Sequence, residues 1–102
     1  MSIVGLHHVQ LAMPPGREED AVALYEGLLG LPRVHKPLNL ERRGGCWFES
    51  DSTRVHLGVE DDFSPARMAH PALLVTDLGL LRRRLEGAGE AWFDDIFVTE
   101  VP

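Results

Sequence analysis

Residues 3–13 interleave Ile, Val and Leu with His and Gln and stop at Pro14-Pro15-Gly16, the pattern of a half-buried strand ended by turn residues. Alternation sets His8 with Leu6, Gln10 and Ala12 on one face, and His7 with Val9 and Leu11 on the other. Over residues 17–29 the apolar period changes. Ala21, Tyr25, Leu28 and Leu29 follow i, i+4, i+7, i+8, which predicts an amphipathic helix. Glu18, Glu19 and Asp20 suit its positive N-terminal end, and Gly30 followed by Leu31-Pro32 is a stop.

Residues 33–36 read as a short strand and 37–43 as a loop or helical turn leading to Gly44-Gly45. Residues 46–49 and 53–59 form two strands joined by Ser50-Asp51-Ser52, a hairpin in which Arg54, His56 and Gly58 share a face. A polar stretch over residues 60–65, ending in Ser64-Pro65, reads as a linker. Residues 68–76 are a further strand, with His70, Ala72 and Leu74 on one face, and Asp77 is placed to cap the helix that follows. That helix carries an apolar stripe of Leu78, Leu81, Leu85 and Ala88. Arg82, Arg83 and Arg84 lie mostly off the stripe, as a solvated face, and Gly87 and Gly89 end it. Residues 91–98 suggest a last strand.

The two halves repeat an order: a strand opening with His, a helix, a Gly stop, then strands. His8-Val9-Gln10-Leu11 corresponds to His70-Pro71-Ala72-Leu73, and Gly30 to Gly89. The pattern therefore predicts an α+β chain of two modules, 1–60 and 66–102, within one domain. The first copy continues for 30 residues beyond its glycine and the second for 13. A second module short of its last two strands is expected, with an unpaired sheet edge that favours a homodimer or a fragment of a longer chain.

Composition narrows the function classes. With 44% hydrophobic and 25% charged residues the chain matches folded globular proteins rather than disordered ones. A net charge of −6 argues against a nucleic-acid or anionic-membrane partner, so small molecules are the better candidates. One cysteine, Cys46, excludes an intrachain disulfide framework. With no basic and apolar leader at residues 1–5 and no long apolar run, a cytoplasmic protein is expected.

His8, His56 and His70 lie on separate predicted strands that pairing of the halves could bring together. Imidazoles suit zinc, iron, nickel or copper, although the spacings of 48 and 14 match no local metal motif, and a satisfied core histidine is the plainer reading of each. Parity leaves His7 as the rival of His8. His35, beside Lys36, reads as surface, and Cys46 as buried and inert rather than nucleophilic. Trp47 and Phe48 either line an aromatic pocket or pack in the core. Gln10 and Arg54 share faces with His8 and His56 and could orient an anionic or carbonyl group, with a solvent-facing Arg54 as the alternative. No phosphate-cradling Gly loop, serine nucleophile elbow or HExxH motif is present.

Gly5-Leu6-His7-His8-Val9-Gln10-Leu11-Ala12, Leu28-Leu29-Gly30-Leu31-Pro32, Val55-His56-Leu57-Gly58-Val59 and Ala69-His70-Pro71-Ala72-Leu73-Leu74-Val75 resemble, in order, the glyoxalase/bleomycin resistance/dioxygenase group, the vicinal oxygen chelate superfamily. The resemblance covers about residues 3–99. It implies paired βαβββ modules curled around a cavity in which a divalent metal holds the substrate. It also implies His8, rather than His7, with His56 and His70 as metal ligands. The family's usual fourth ligand, a Glu on a final strand after an Asp-Pro-x-Gly-Asn type turn, has no counterpart here. Glu49, Glu100 or a partner chain are the remaining sources of a carboxylate.

Two functions follow as expectations. The first is a divalent-metal-dependent enzyme of the lyase, isomerase or dioxygenase type. It would use zinc, nickel, manganese or iron as a Lewis acid, with Gln10, Trp47 and Arg54 against the substrate. The second is a metal-independent small-molecule binding or resistance protein, or an inactive fragment.

Overall fold

A computed structural model describes residues 1–88 and 97–100. The chain divides into two compact units, residues 1–63 and 64–102. In the first, strand β1 (Val9–Met13) is followed by helix α1 (Glu18–Val22), strand β2 (Arg33–Val34), a short helix α2 (Leu38–Glu41), and strands β3 (Cys46–Glu49) and β4 (Arg54–Val59). The four strands make one sheet in the order β1-β4-β3-β2, the βαβββ order that the sequence pattern predicts. β4 is a central strand, parallel to β1 and antiparallel to β3, while β3 is antiparallel to β2.

β1 is shorter than its alternating pattern. Its pairing begins at Val9, opposite Val55, and β4 itself begins one residue earlier, so residues before Val9 have little strand to pair with. Ile3, Val4 and Leu6 are exposed, and His7 and His8 fall just outside the strand.

One face of the sheet is the core. Met13, Cys46, Phe48, Val55 and Leu57 are buried there with Ala21, Leu24 and Tyr25 of the helical segment. The Tyr25 and Phe48 rings stack with centroids 5.0 Å apart, and the Cys46 thiol lies 3.9 Å from the Glu18 carbonyl oxygen. Burial pushes the Cys46 thiol pKa up, which keeps it protonated, as its reading as an inert core residue requires.

The helical stripe differs from the expected one. After α1 the chain widens into a π-helix over Ala23–Leu28, with Leu29 N–H donating to the Leu24 carbonyl at 2.9 Å. Leu24 enters the core with Ala21 and Tyr25 at i, i+3 and i+4, while Leu28 and Leu29, at the end of the wider turn, are only half buried. Gly30 ends the segment at φ +72°, where the Leu31 N–H reaches back to the Tyr25 carbonyl at 2.8 Å. The Glu26 carboxylate accepts the Arg33 N–H at 2.8 Å and so ties the helix end to β2.

In the second unit, strand β5 (Ala72–Val75) runs parallel to β6 (Phe97–Glu100), and helix α3 (Leu78–Ala88) lies between them in sequence. β5 is confined to the four residues that β6 pairs, which leaves His70 ahead of the strand. Asp77 caps α3 as predicted, its Oδ1 accepting the Leu80 N–H at 2.9 Å. Leu81 is buried, Leu78 and Leu85 are half buried, and Arg82, Arg83 and Arg84 are exposed. Of the last predicted strand, residues 91–96 lie outside the described residues. No helix among the described residues is long and apolar enough to cross a membrane.

Candidate functional site

The sheet face opposite the core carries the chemistry of the first unit. Side chains alternate along a strand, so with Val55 and Leu57 in the core, Arg54, His56 and Gly58 face the other way. Register places Gln10 of β1 and Trp47 of β3 on either side of His56, and Glu49 opposite Arg54. Gly58 leaves room beside Gln10: a Cβ at position 58 would stand 2.5 Å from the Gln10 amide nitrogen.

His56 is the centre of this face. It is buried to 3% exposure, a polar ring in the middle of a sheet. Such burial is stable only with a hydrogen-bond partner. The partner is Glu49, whose Oε2 lies 2.7 Å from His56 Nε2, and because a carboxylate accepts, the imidazole donates. The Trp47 ring stacks on one face of His56 at 3.9 Å and 4°, and the His8 ring on the other at 4.2 Å and 18°. The Arg54 guanidinium lies 3.8 Å from Glu49 Oε1, and its Nη1 donates to the His7 carbonyl at 3.3 Å. Arg54 thus spans from the carboxylate that holds His56 to the backbone next to His8.

His8 is exposed, and its Nδ1 lies 2.9 Å from that of His7. Loss of water around the stacked ring, then the positive charge that His56 and His7 would carry, lowers its pKa below the ordinary 6.5. The neutral form is therefore favoured in the folded protein. The contribution to stability is present above the unfolded value and is lost as pH falls through the lower folded value. In an NMR titration the His8 ring protons are expected to shift with a midpoint below 6.5. A His8→Gln variant is expected to show a flatter loss of stability between pH about 7 and about 5. A His8 midpoint above 6.5 would contradict this.

The structure thus brings Gln10, Trp47, Arg54 and His56 to one sheet face, with His8 stacked against it. His70 lies in the second unit, exposed, where its Nδ1–H donates to the Met68 carbonyl at 2.8 Å. By sequence alone Glu49 is only one of several spare carboxylates. The signal for its role is the hairpin register: with Ser50-Asp51-Ser52 as the turn, Glu49 and Arg54 are opposed and Glu49 falls beside the His56 row.

His8, His56 and His70 fit a borderline divalent ion by donor type, all three being imidazoles. Two rings stacked 4.2 Å apart aim their in-plane lone pairs side by side rather than at one point, so a shared ion requires one of them to turn. His56 is held on both faces and one edge, whereas His8 stands beyond the end of β1. Among the described residues, no three His, Cys, Asp or Glu side chains are already grouped to hold a metal.

Comparison with protein-family models and with curated protein sequences finds no match. Solved structures do match. A crystal structure assigned to the glyoxalase family, from Bacillus anthracis, is 42% identical with a TM-score of 0.78, over 87% of this chain and 73% of that one. The genomically encoded fosfomycin resistance protein FosX of Listeria monocytogenes matches at 12% identity and a TM-score of 0.65, over 86% of this chain and 68% of its own. A lactoylglutathione lyase from Agrobacterium tumefaciens matches at 14% identity and a TM-score of 0.53, over 93% and 94% of the two chains. The last two are likenesses of fold.

Proposed function

The chain belongs to the glyoxalase family, and on that premise we propose that it is a divalent-metal-dependent enzyme acting on a small molecule, with its reactive face at His8, Trp47, Glu49 and His56. The observation that carries this reading is the buried His56, held by a carboxylate at 2.7 Å beside an exposed imidazole whose neutral form is favoured. A histidine that ligates a metal must be a neutral imidazole, and an outer carboxylate that orients it is the usual support.

In this proposal His8 and His56 hold zinc, nickel, manganese or iron, and for His70 the support is its sequence match to the family's ligand. The ion when bound supplies Lewis-acid polarisation of substrate oxygens. The chain's own groups do the rest. Gln10, half over Gly58, offers an amide to a carbonyl or hydroxyl of the substrate, and Trp47 supplies an apolar wall that excludes water. Arg54 keeps its place between Glu49 and the His7 carbonyl, steadying the carboxylate and the backbone before His8.

A second reading has its own support. The Trp47-His56-His8 stack, as it stands, resembles a packed aromatic platform more than an open ligand set, which favours a metal-independent small-molecule binding protein. Thermal unfolding separates the two. A ligand present at 100 times its Kd stabilises the folded state by about 2.7 kcal/mol. Wild-type protein is expected to melt several degrees higher with at least one of the four ions, and His8→Ala to lose most of that gain. No change in melting with any of them would transfer the proposal to the metal-free binder.

A further inference from the structure

We propose that Glu49 is the positioning residue of this face: it sets the His56 tautomer as Nε2–H and so leaves the ring's lone pair on Nδ1. The proposal deepens the metal reading, but its first half stands on this chain alone.

A neutral imidazole carries its single proton on one nitrogen, and the hydrogen bond made by one ring nitrogen decides which. At His56 the Nε2 faces an acceptor-only carboxylate oxygen at 2.7 Å. The ring is buried, so water does not compete at that edge. The ring lies between Trp47 and His8 at 3.9 and 4.2 Å, and a half-turn about Cβ–Cγ within that slot would put a C–H where the Nε2–H stands and so lose the Glu49 hydrogen bond. Glu49 is held in turn, by Arg54 at 3.8 Å from its other oxygen, across the hairpin register that opposes the two residues. The chain of control runs from the hairpin to Arg54, to Glu49, to the His56 ring. At His70 the backbone plays the corresponding part from the other nitrogen, with Nδ1–H on the Met68 carbonyl. The two histidines are thereby set as opposite tautomers.

The test is long-range proton–nitrogen correlation NMR of metal-free protein at pH about 8, where histidine is neutral, on wild type, Glu49→Gln and Glu49→Leu. Wild type is expected to show His56 as the Nε2–H tautomer. Glu49→Gln, whose amide oxygen still accepts, is expected to keep it, and Glu49→Leu to give a mixture. Zinc affinity by dye competition is expected to fall about 10- to 100-fold in Glu49→Leu and to recover in Glu49→Gln. An Nδ1–H tautomer in wild type, or an unchanged tautomer in Glu49→Leu, would overturn the proposal even if zinc binds. Absence of zinc binding in wild type would defeat the metal reading, while the tautomer spectrum would still decide the role of Glu49. Should Glu49→Leu fail to fold, Glu49→Ala, which also removes the acceptor, takes its place, and an unchanged tautomer in it would overturn the proposal.

Discussion

Gly45→Ala is expected to destabilise the first unit by about 3 kcal/mol or more, a large share of the roughly 5–15 kcal/mol that holds a small domain together. Gly45 stands at φ +87° immediately before β3, and a Cβ there would overlap the Leu57 carbonyl oxygen and lie 3.1 Å from its carbon. Those are backbone atoms of the central strand, paired with Cys46, so no side chain can swing aside to make room. The left-handed backbone alone costs an alanine about 1–2 kcal/mol, and parting β3 from β4 adds to it. Gly30→Ala is the control, because Gly30 has a similar φ of +72° but nothing within 4 Å of its Cβ position. Thermal melts are expected to fall by more than about 10 °C for Gly45→Ala and by half that or less for Gly30→Ala. Equal losses would show that the Leu57 backbone is not the obstacle.

Much of this architecture is legible in the chain. The alternation at Arg54, Val55, His56 and Leu57 sorts β4 into a core face and a chemical face, because a period of two admits no other sorting once Val55 and Leu57 are buried. Asp77 announces the start of α3 through its side-chain acceptor. Other features depend on partners that local pattern does not name. The extent of β1 is set by where β4 begins, so residues 3–8 look like strand and are not. Leu24, three residues after Ala21, belongs to the buried face by ordinary helical spacing, whereas Leu28 and Leu29 fall at the π-helical end, where the 3.6 period that would bury them no longer holds. At the site, the histidines and Trp47 stand out by residue type, while Glu49 is one acid among many until the hairpin register sets it beside His56.

His56 carries the other large expected effect. Its ring joins the Trp47 and His8 stacks to the Glu49 hydrogen bond, so removing it empties the centre of the chemical face and leaves a half-buried carboxylate without its partner. His56→Gln is the informative variant: its amide N–H can still serve Glu49, yet it offers no imidazole nitrogen. Circular dichroism is expected to show this variant folded, and metal uptake is expected to be lost with the ring.

The most direct measurement is therefore the metal content of wild type and His56→Gln, purified without a nickel column, exposed to zinc, nickel, manganese or iron, and dialysed. Near-stoichiometric metal in wild type, and its loss in folded His56→Gln, is the predicted result. Folded wild type that retains none of the four ions, or a His56→Gln variant that retains as much as wild type, would contradict it.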